Sequence, residues 1–295
     1  MGLKHWFLRK LRAAVGTQAI IDTVGNTSAE VQALRDDVGK YCDAILELRY
    51  LHEDLSIFLS KVAGFVGEPL VRLGTEYPVA SGSDDHRFPR GTAKDNTRYP
   101  RFSRKVEEVF GRKVKYLDLG CAGGGLVWDF LLRGHFAVGL EGSDYSLRNQ
   151  RALWRVIPNH LFTCDITKPF RLVELKTEST VHFDIISCWE VLEHIREADL
   201  PCLLANIHRH LDAGGLFVAS VATFEDFDRE TGAVWHVTVK DGGWWENLLR
   251  EHNFEITQGL FEPLDFPRGS GNGREDWSVI TNPELGFHVV AKRVV

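Results

Sequence analysis

The chain has 295 residues, 44% of them hydrophobic and 26% charged, with a net charge of −6. That supports one α/β domain of about 190 residues plus a smaller appendage. No run of 18 apolar residues occurs, and Cys42, Cys121, Cys164, Cys188 and Cys202 form no C-x-x-C pair. A membrane-spanning helix, a disulfide framework and a zinc knuckle are therefore excluded, and a reducing, cytoplasmic compartment is expected.

Residues 1–21 hold Lys4, Arg9, Lys10 and Arg12 and no acid, so the remainder carries −10. An acidic body repels a phosphate backbone, which argues against long nucleic acids as substrate. Trp6, Phe7, Leu8 and Leu11 accompany the basic residues. Residues 1–15 thus suit either peripheral membrane contact or a solvated helix, with Lys4 and Lys10 interrupting the apolar face. The start lacks the apolar core of a signal peptide, and Trp6 stands where myristoylation wants Ser or Thr.

A seven-residue repeat runs from Val24 to Val62, with Val24, Val31, Val38, Ile45, His52 and Leu59 in one row and Thr27, Leu34, Tyr41, Leu48, Leu55 and Val62 in the other. β-Branched residues in the first row and mostly Leu in the second favour a parallel two-stranded coiled coil, hence a homodimer. A helix or helical hairpin folded back on its own chain satisfies the same stripe. Gly39 weakens the helix by about 1 kcal/mol. Residues 1–70 are read as a helical arm and oligomerisation segment.

Residues 71–105 are read as a lid and acceptor-binding segment. Between positions 81 and 100 the chain is dense in Asp, His, Arg, Thr and Asn and lacks periodicity. A plain linker is Gly/Ser or Pro dominated; varied polar groups suit recognition of hydroxyl-rich or anionic ligands.

From residue 106 the pattern becomes alternating strand and helix. Residues 114–119 form an apolar strand that carries Asp118 into the glycine-rich turn Gly120, Cys121, Ala122, Gly123, Gly124, Gly125. Glycines there let a backbone approach a ligand, and the following helix points unpaired N–H groups at it. The spacing is close to a dinucleotide turn, but Asp118 just before the first glycine suits a cationic ligand. Residues 136–140 are a second strand ending at Glu141, which lies 21 positions after Gly120, the distance of an acid that accepts ribose hydroxyls. Residues 161–164 deliver Asp165, an acceptor for an adenine amino group. Residues 183–188 run into Trp189, Glu190, Val191, Leu192, Glu193, His194 and Ile195.

With four such motifs in one order, residues 106–295 resemble the class I S-adenosylmethionine-dependent methyltransferases. The resemblance implies an α/β, Rossmann-like seven-stranded sheet with helices on both faces, preceded here by the helical arm. It makes Asp118, Gly120, Ala122 and Gly124 the methionine-binding turn, Glu141 the ribose ligand and Asp165 the adenine ligand, with Cys188 and Trp189 lining the donor pocket. Ala122 replaces the family's usual glycine, which a negative φ would tolerate. Each acid also has a plainer reading as a helix cap or solvated loop residue, and Cys188 as a core hydrophobe.

The rest completes the sheet: a helix over 201–211, a strand over 216–220, a helix over 244–252, a strand over 254–260 and an antiparallel edge strand over 286–292. If a helical turn follows the fourth strand, Glu190, Glu193 and His194 stand at i, i+3 and i+4 on one face. With His236 this resembles the Glu-x-x-Glu-His plus distant His site of small-RNA 2′-O-methyltransferases, whose first part ubiquinone-pathway O-methyltransferases share. There a divalent cation holds acceptor hydroxyls; two histidines suit Mn²⁺, Fe²⁺ or Zn²⁺ better than Mg²⁺. The alternatives are His194 or His236 as a metal-free base, or an acid and histidine that only brace the turn.

The expected function is O-methyl transfer from S-adenosyl-L-methionine to a small polar or carbohydrate-type acceptor, with His194, His236, Glu190 and Glu193 as catalytic candidates. Two other readings stand beside it: a metal-dependent RNA-end 2′-O-methyltransferase and a non-catalytic donor-binding scaffold.

Overall fold

The structure, a computed structural model, describes residues 70–270 and 278–294, residues 26–35, and the single positions Trp6, Lys10, Ala13, Val38, Tyr41, Ile45, Leu48 and Tyr50. The chain divides into two units, Met1–Val62 and Ala63–Val295. In the first, residues 26–35 are helical, and the repeat positions Val31, Leu34, Val38, Tyr41, Ile45 and Leu48 are exposed. Val24, Gly39, His52, Leu55, Leu59 and Val62 lie outside the described residues.

The second unit is built on a seven-stranded sheet. Its strands are β2 (Lys115–Leu119), β3 (Phe136–Glu141), β4 (Leu161–Thr163), β6 (Phe183–Trp189), β7 (Leu211–Ala222), β8 (Phe254–Ile256) and β9 (Gly286–Arg293), in the order β4-β3-β2-β6-β7-β9-β8. Strands β4, β3, β2, β6 and β7 are mutually parallel. Every residue of β6 is buried, as are the last four of β2. Such continuous burial requires cover on both faces, which is why these strands read as apolar runs without alternation. Their carboxyl ends share one edge of the sheet, where ligands bind in open α/β sheets.

The last strand departs from expectation. β9 is antiparallel, but it pairs with β7 on one side and β8 on the other, so β8 holds the edge. β9 buries Val289, Val290 and Ala291, an apolar stretch suited to an interior position. The sequence reading also passed over β1 (Val71–Thr75), which pairs antiparallel with β5 (Phe170–Glu174) in a separate two-stranded sheet.

The first helices before β2 are short. Ser83 caps Asp84–Arg87 through the Asp85 N–H, and Arg90–Lys94 follows. Pro100–Phe110 is longer, with proline in its first turn, where no N–H is needed, and Gly111 at φ 64° ending it. Cys121, Cys164, Cys188 and Cys202 are free thiols. No helix among the described residues is long and apolar enough to cross a membrane.

Candidate active site

The glycine turn connects β2 to the helix Gly125–Leu132. Gly120 sits at φ 80°, and a Cβ there would meet Val191 Cγ2 at 2.3 Å, so glycine is needed both for its conformation and for the closeness of β6's exit loop. Ala122 lies at φ 45°, which corrects the expectation of a negative φ. Left-handed backbone costs an alanine about 1–2 kcal/mol. Two bonds hold it there: its N–H donates to Glu141 Oε2 at 2.8 Å, and its carbonyl accepts from Trp154 Nε1 at 2.8 Å.

Glu141 is buried at the end of β3. Its Oε1 accepts from the Thr92 hydroxyl at 3.2 Å and the Ser143 N–H at 3.1 Å. Burial pushes its pKa up against these three donors. Asp118, one strand over and 2% exposed, accepts from Ser187 Oγ at 2.8 Å. Burial raises it to about 7, opposed by its hydrogen bonds from Ser187 and Tyr116 and assisted by the charge of Glu141. Two buried carboxylates thus lie near one turn, each held by hydrogen bonds from neighbouring groups. Asp165 follows β4, where its Oδ1 accepts from the Thr167 N–H at 3.0 Å and hydroxyl at 2.6 Å. Cys188 belongs to the main apolar core, its thiol pKa driven well up by burial. Trp189 packs edge-on against Phe102 at 4.9 Å.

A second polar cluster begins where β6 ends. Glu190 has φ 55°, and the next regular turn is a three-residue 3₁₀ segment, Leu192–His194. The expected helical face therefore does not form. Ser220 Oγ donates to Glu190 Oε1 at 2.5 Å, while a different set converges: one ligand atom each from Glu193, His194 and His236, all within 4.8 Å of one another. Backbone bonds explain how His236 arrives. The N–H groups of Val237 and Thr238 donate to the Glu193 carbonyl at 2.9 and 3.0 Å, and the Thr238 hydroxyl donates to the Ile195 carbonyl at 2.7 Å. The two imidazoles meet edge to face, with centroids 5.0 Å apart.

The three differ in how their polar atoms are engaged, and His236 Nε2 lies 4.0 Å from Asp226 Oδ2. Glu193 is fully buried; its Oε1 accepts the Ala222 N–H at 3.0 Å, and its Oε2 is buried without a hydrogen-bond partner. His236 Nδ1 stands 2.6 Å from the Phe224 carbonyl, and His194 Nδ1 stands 2.9 Å from Asp85 Oδ2. A carbonyl and a carboxylate only accept, so both rings carry hydrogen on Nδ1 and keep Nε2 lone pairs when neutral. Burial lowers the pKa of His236, helped by the charge of His194 and opposed by the Phe224 carbonyl. His194 is pulled down by burial but raised overall by Asp85, Glu193 and Asp226. Burial lifts Glu193 to about 7 against the His194 charge. A buried orphan carboxylate oxygen beside two imidazoles could hold a divalent cation, and Nδ1 acceptors of this kind are the usual outer partners of metal-bound histidines.

The segment 78–99 covers both halves. Asp85 meets His194, and Asp84 Oδ2 accepts the Val234 N–H at 3.0 Å. Arg90 pairs with Asp226 and lies 3.9 Å over the Trp235 ring. Thr92 meets Glu141; Arg151 Nε donates to the Ala93 carbonyl at 2.9 Å; Arg268 pairs with Asp95. Asp85, Thr92 and Asp226 went unread as individual site residues. The polar density of positions 81–100 was the available signal.

The sheet carries a glycine turn after β2, acids at Asp118, Glu141 and Asp165 at or just past the ends of β2, β3 and β4, and a polar cluster of Glu193, His194 and His236 after β6. Residues 93–259 match the family described as a methyltransferase domain, and the chain belongs to it. It is an S-adenosylmethionine-dependent methyltransferase. A ubiquinone biosynthesis O-methyltransferase from Glaesserella parasuis serovar 5 (strain SH0165) is 37% identical over 93 residues, covering 31% of this chain and 38% of that protein. The matched stretch thus spans well under half of that relative. Among solved structures, a 1,6-didemethyltoxoflavin-N1-methyltransferase from Burkholderia thailandensis is similar at 16% identity and a TM-score of 0.46, covering 72% of this chain and 84% of that one. The glycopeptide N-methyltransferase MtfA complexed with sinefungin is similar at 18% identity and a TM-score of 0.46, covering 66% and 94%.

Proposed function

We propose that the chain methylates a hydroxyl oxygen on a small polar or carbohydrate-type acceptor, activated at Glu193, His194 and His236. The carrying observation is the convergence of one ligand atom each from Glu193, His194 and His236, with Glu193 Oε2 buried and without a hydrogen-bond partner. A sulfonium donor is already activated, so alignment supplies most of its acceleration; what a hydroxyl lacks is a reason to lose its proton. Glu193 Oε2 and the Nε2 atoms of His194 and His236 would hold a divalent cation. Such a cation, when bound, lowers the pKa of an acceptor hydroxyl. His236, kept neutral by burial, receives the proton at Nε2 in a cation-free variant of the same reading. The sequence relative, an O-methyltransferase by name, supports oxygen as the acceptor atom. The −10 carried outside residues 1–21 favours a small acceptor over an RNA end. Residues 78–99, touching both halves, act as the lid and acceptor wall.

Radiolabelled methyl transfer to sugars, phenols, catechols and short RNAs tests this. An O-methylated small product is expected, with activity falling roughly 10²–10⁴-fold in His236→Ala. Loss on chelation with recovery on Mn²⁺ assigns the cation; survival of chelation assigns the base. Turnover indifferent to both His194→Ala and His236→Ala rejects the reading.

A further inference from the structure

Asp85 lies 109 positions before His194, on the short helix Asp84–Arg87, yet its Oδ2 is 2.9 Å from His194 Nδ1. Several contacts fix it there. The Ser83 hydroxyl accepts the Asp85 N–H at 3.1 Å and lies 3.3 Å from Asp85 Oδ2, Arg196 donates to the Gly82 carbonyl at 3.3 Å, and Asp84 holds the Val234 N–H two residues before His236. A neutral imidazole has one N–H, and the acceptor it meets decides which nitrogen carries it.

We infer that Asp85 is a positioning residue for methyl transfer: docked with the lid, it sets the tautomer and ring orientation of His194, leaving Nε2 unprotonated for the acceptor site. The inference rests on the reading that His194 serves the acceptor hydroxyl. It also gives the lid a task beyond covering the pocket. The segment that supplies Asp85 continues to Thr92 on Glu141 and to Asn96, whose side chain lies against Gly123. One element therefore meets both the glycine turn and His194.

Two-bond ¹H–¹⁵N correlation spectra of the full chain, labelled with ¹⁵N-histidine and taken where the ring is neutral, read the tautomer directly; His194→Gln assigns the signal. Wild type is expected to show His194 protonated at Nδ1. Asp85→Ala should shift the proton to Nε2 and lower kcat roughly 10- to 100-fold with donor affinity unchanged. Asp85→Asn, whose amide oxygen still accepts, should keep Nδ1–H and most of the activity. An Nδ1–H that persists in Asp85→Ala overturns the inference while leaving the functional reading intact. A shifted proton with unchanged turnover keeps the contact but overturns the role of Asp85, leaving the functional reading to stand on His236.

Discussion

Asp118 and Glu141 end neighbouring strands, and burial raises the pKa of both. Asp118 moves from 3.8 to about 7, above its unfolded value, so the folded chain holds this proton more tightly than the unfolded one. Its contribution to stability therefore falls as pH rises across that interval. A cationic donor reverses the preference, because it favours the ionised carboxylate. Affinity for S-adenosylmethionine should accordingly rise with pH through about 7, and Asp118→Asn should flatten that rise. Calorimetry across the pH range decides it; identical profiles in both proteins would remove Asp118 from donor binding. At this scale spacing carried the position of Asp118, Glu141 and Asp165 at or just past the ends of β2, β3 and β4. Ala122 was harder. Its left-handed φ follows from the turn being clamped by Glu141 and Trp154, neither of which neighbours it in sequence.

Residues 78–99 mark the limit of legibility for elements. Periodicity finds helices of two or more turns, whereas Asp84–Arg87 and Arg90–Lys94 span four and five residues. Composition placed the segment, but its docking partners Glu141, His194 and Asp226 lie 49 to 136 positions away. The same distance hid β1, whose partner β5 comes about a hundred residues later. The exit of β6 shows the opposite failure: the pattern Glu190, Glu193, His194 suits a helix, yet a positive φ at Glu190 turns the chain into a 3₁₀ segment and separates the first acid from the rest. Lid docking is sensitive at Gly123, where a Cβ would come within 2.5 Å of Asn96 Oδ1 and 2.8 Å of the Asp95 carbonyl. The latter is backbone and cannot rotate aside. Gly123→Ala should therefore raise hydrogen exchange across residues 84–97 while β2 and β6 stay protected. Unchanged exchange in that segment would show that the strap docks independently of the turn.

For the molecule as a whole, the parallel strands β4, β3, β2, β6 and β7 put Asp118, Glu141, Asp165 and the Glu193 cluster at one edge, and the sequence reached this architecture because buried parallel strands are short apolar runs with an acid at the end. The arm follows a different logic. Its repeat positions from Val31 to Leu48 are exposed along a chain that is helical at each of them. Parallel, in-register pairing with a second copy would bury that row and set Glu30 of one chain against Arg35 of the other, a complementary pair at the flanking positions. Removing residues 20–62 should then convert a dimer into a monomer that binds S-adenosylmethionine as before, and Arg35→Glu should weaken the dimer without touching donor affinity. Light scattering together with calorimetry reads both. A full-length chain already monomeric at high micromolar concentration would rule out the parallel pair and leave the stripe to be covered within one chain, because an apolar row reports that it is buried without specifying by what.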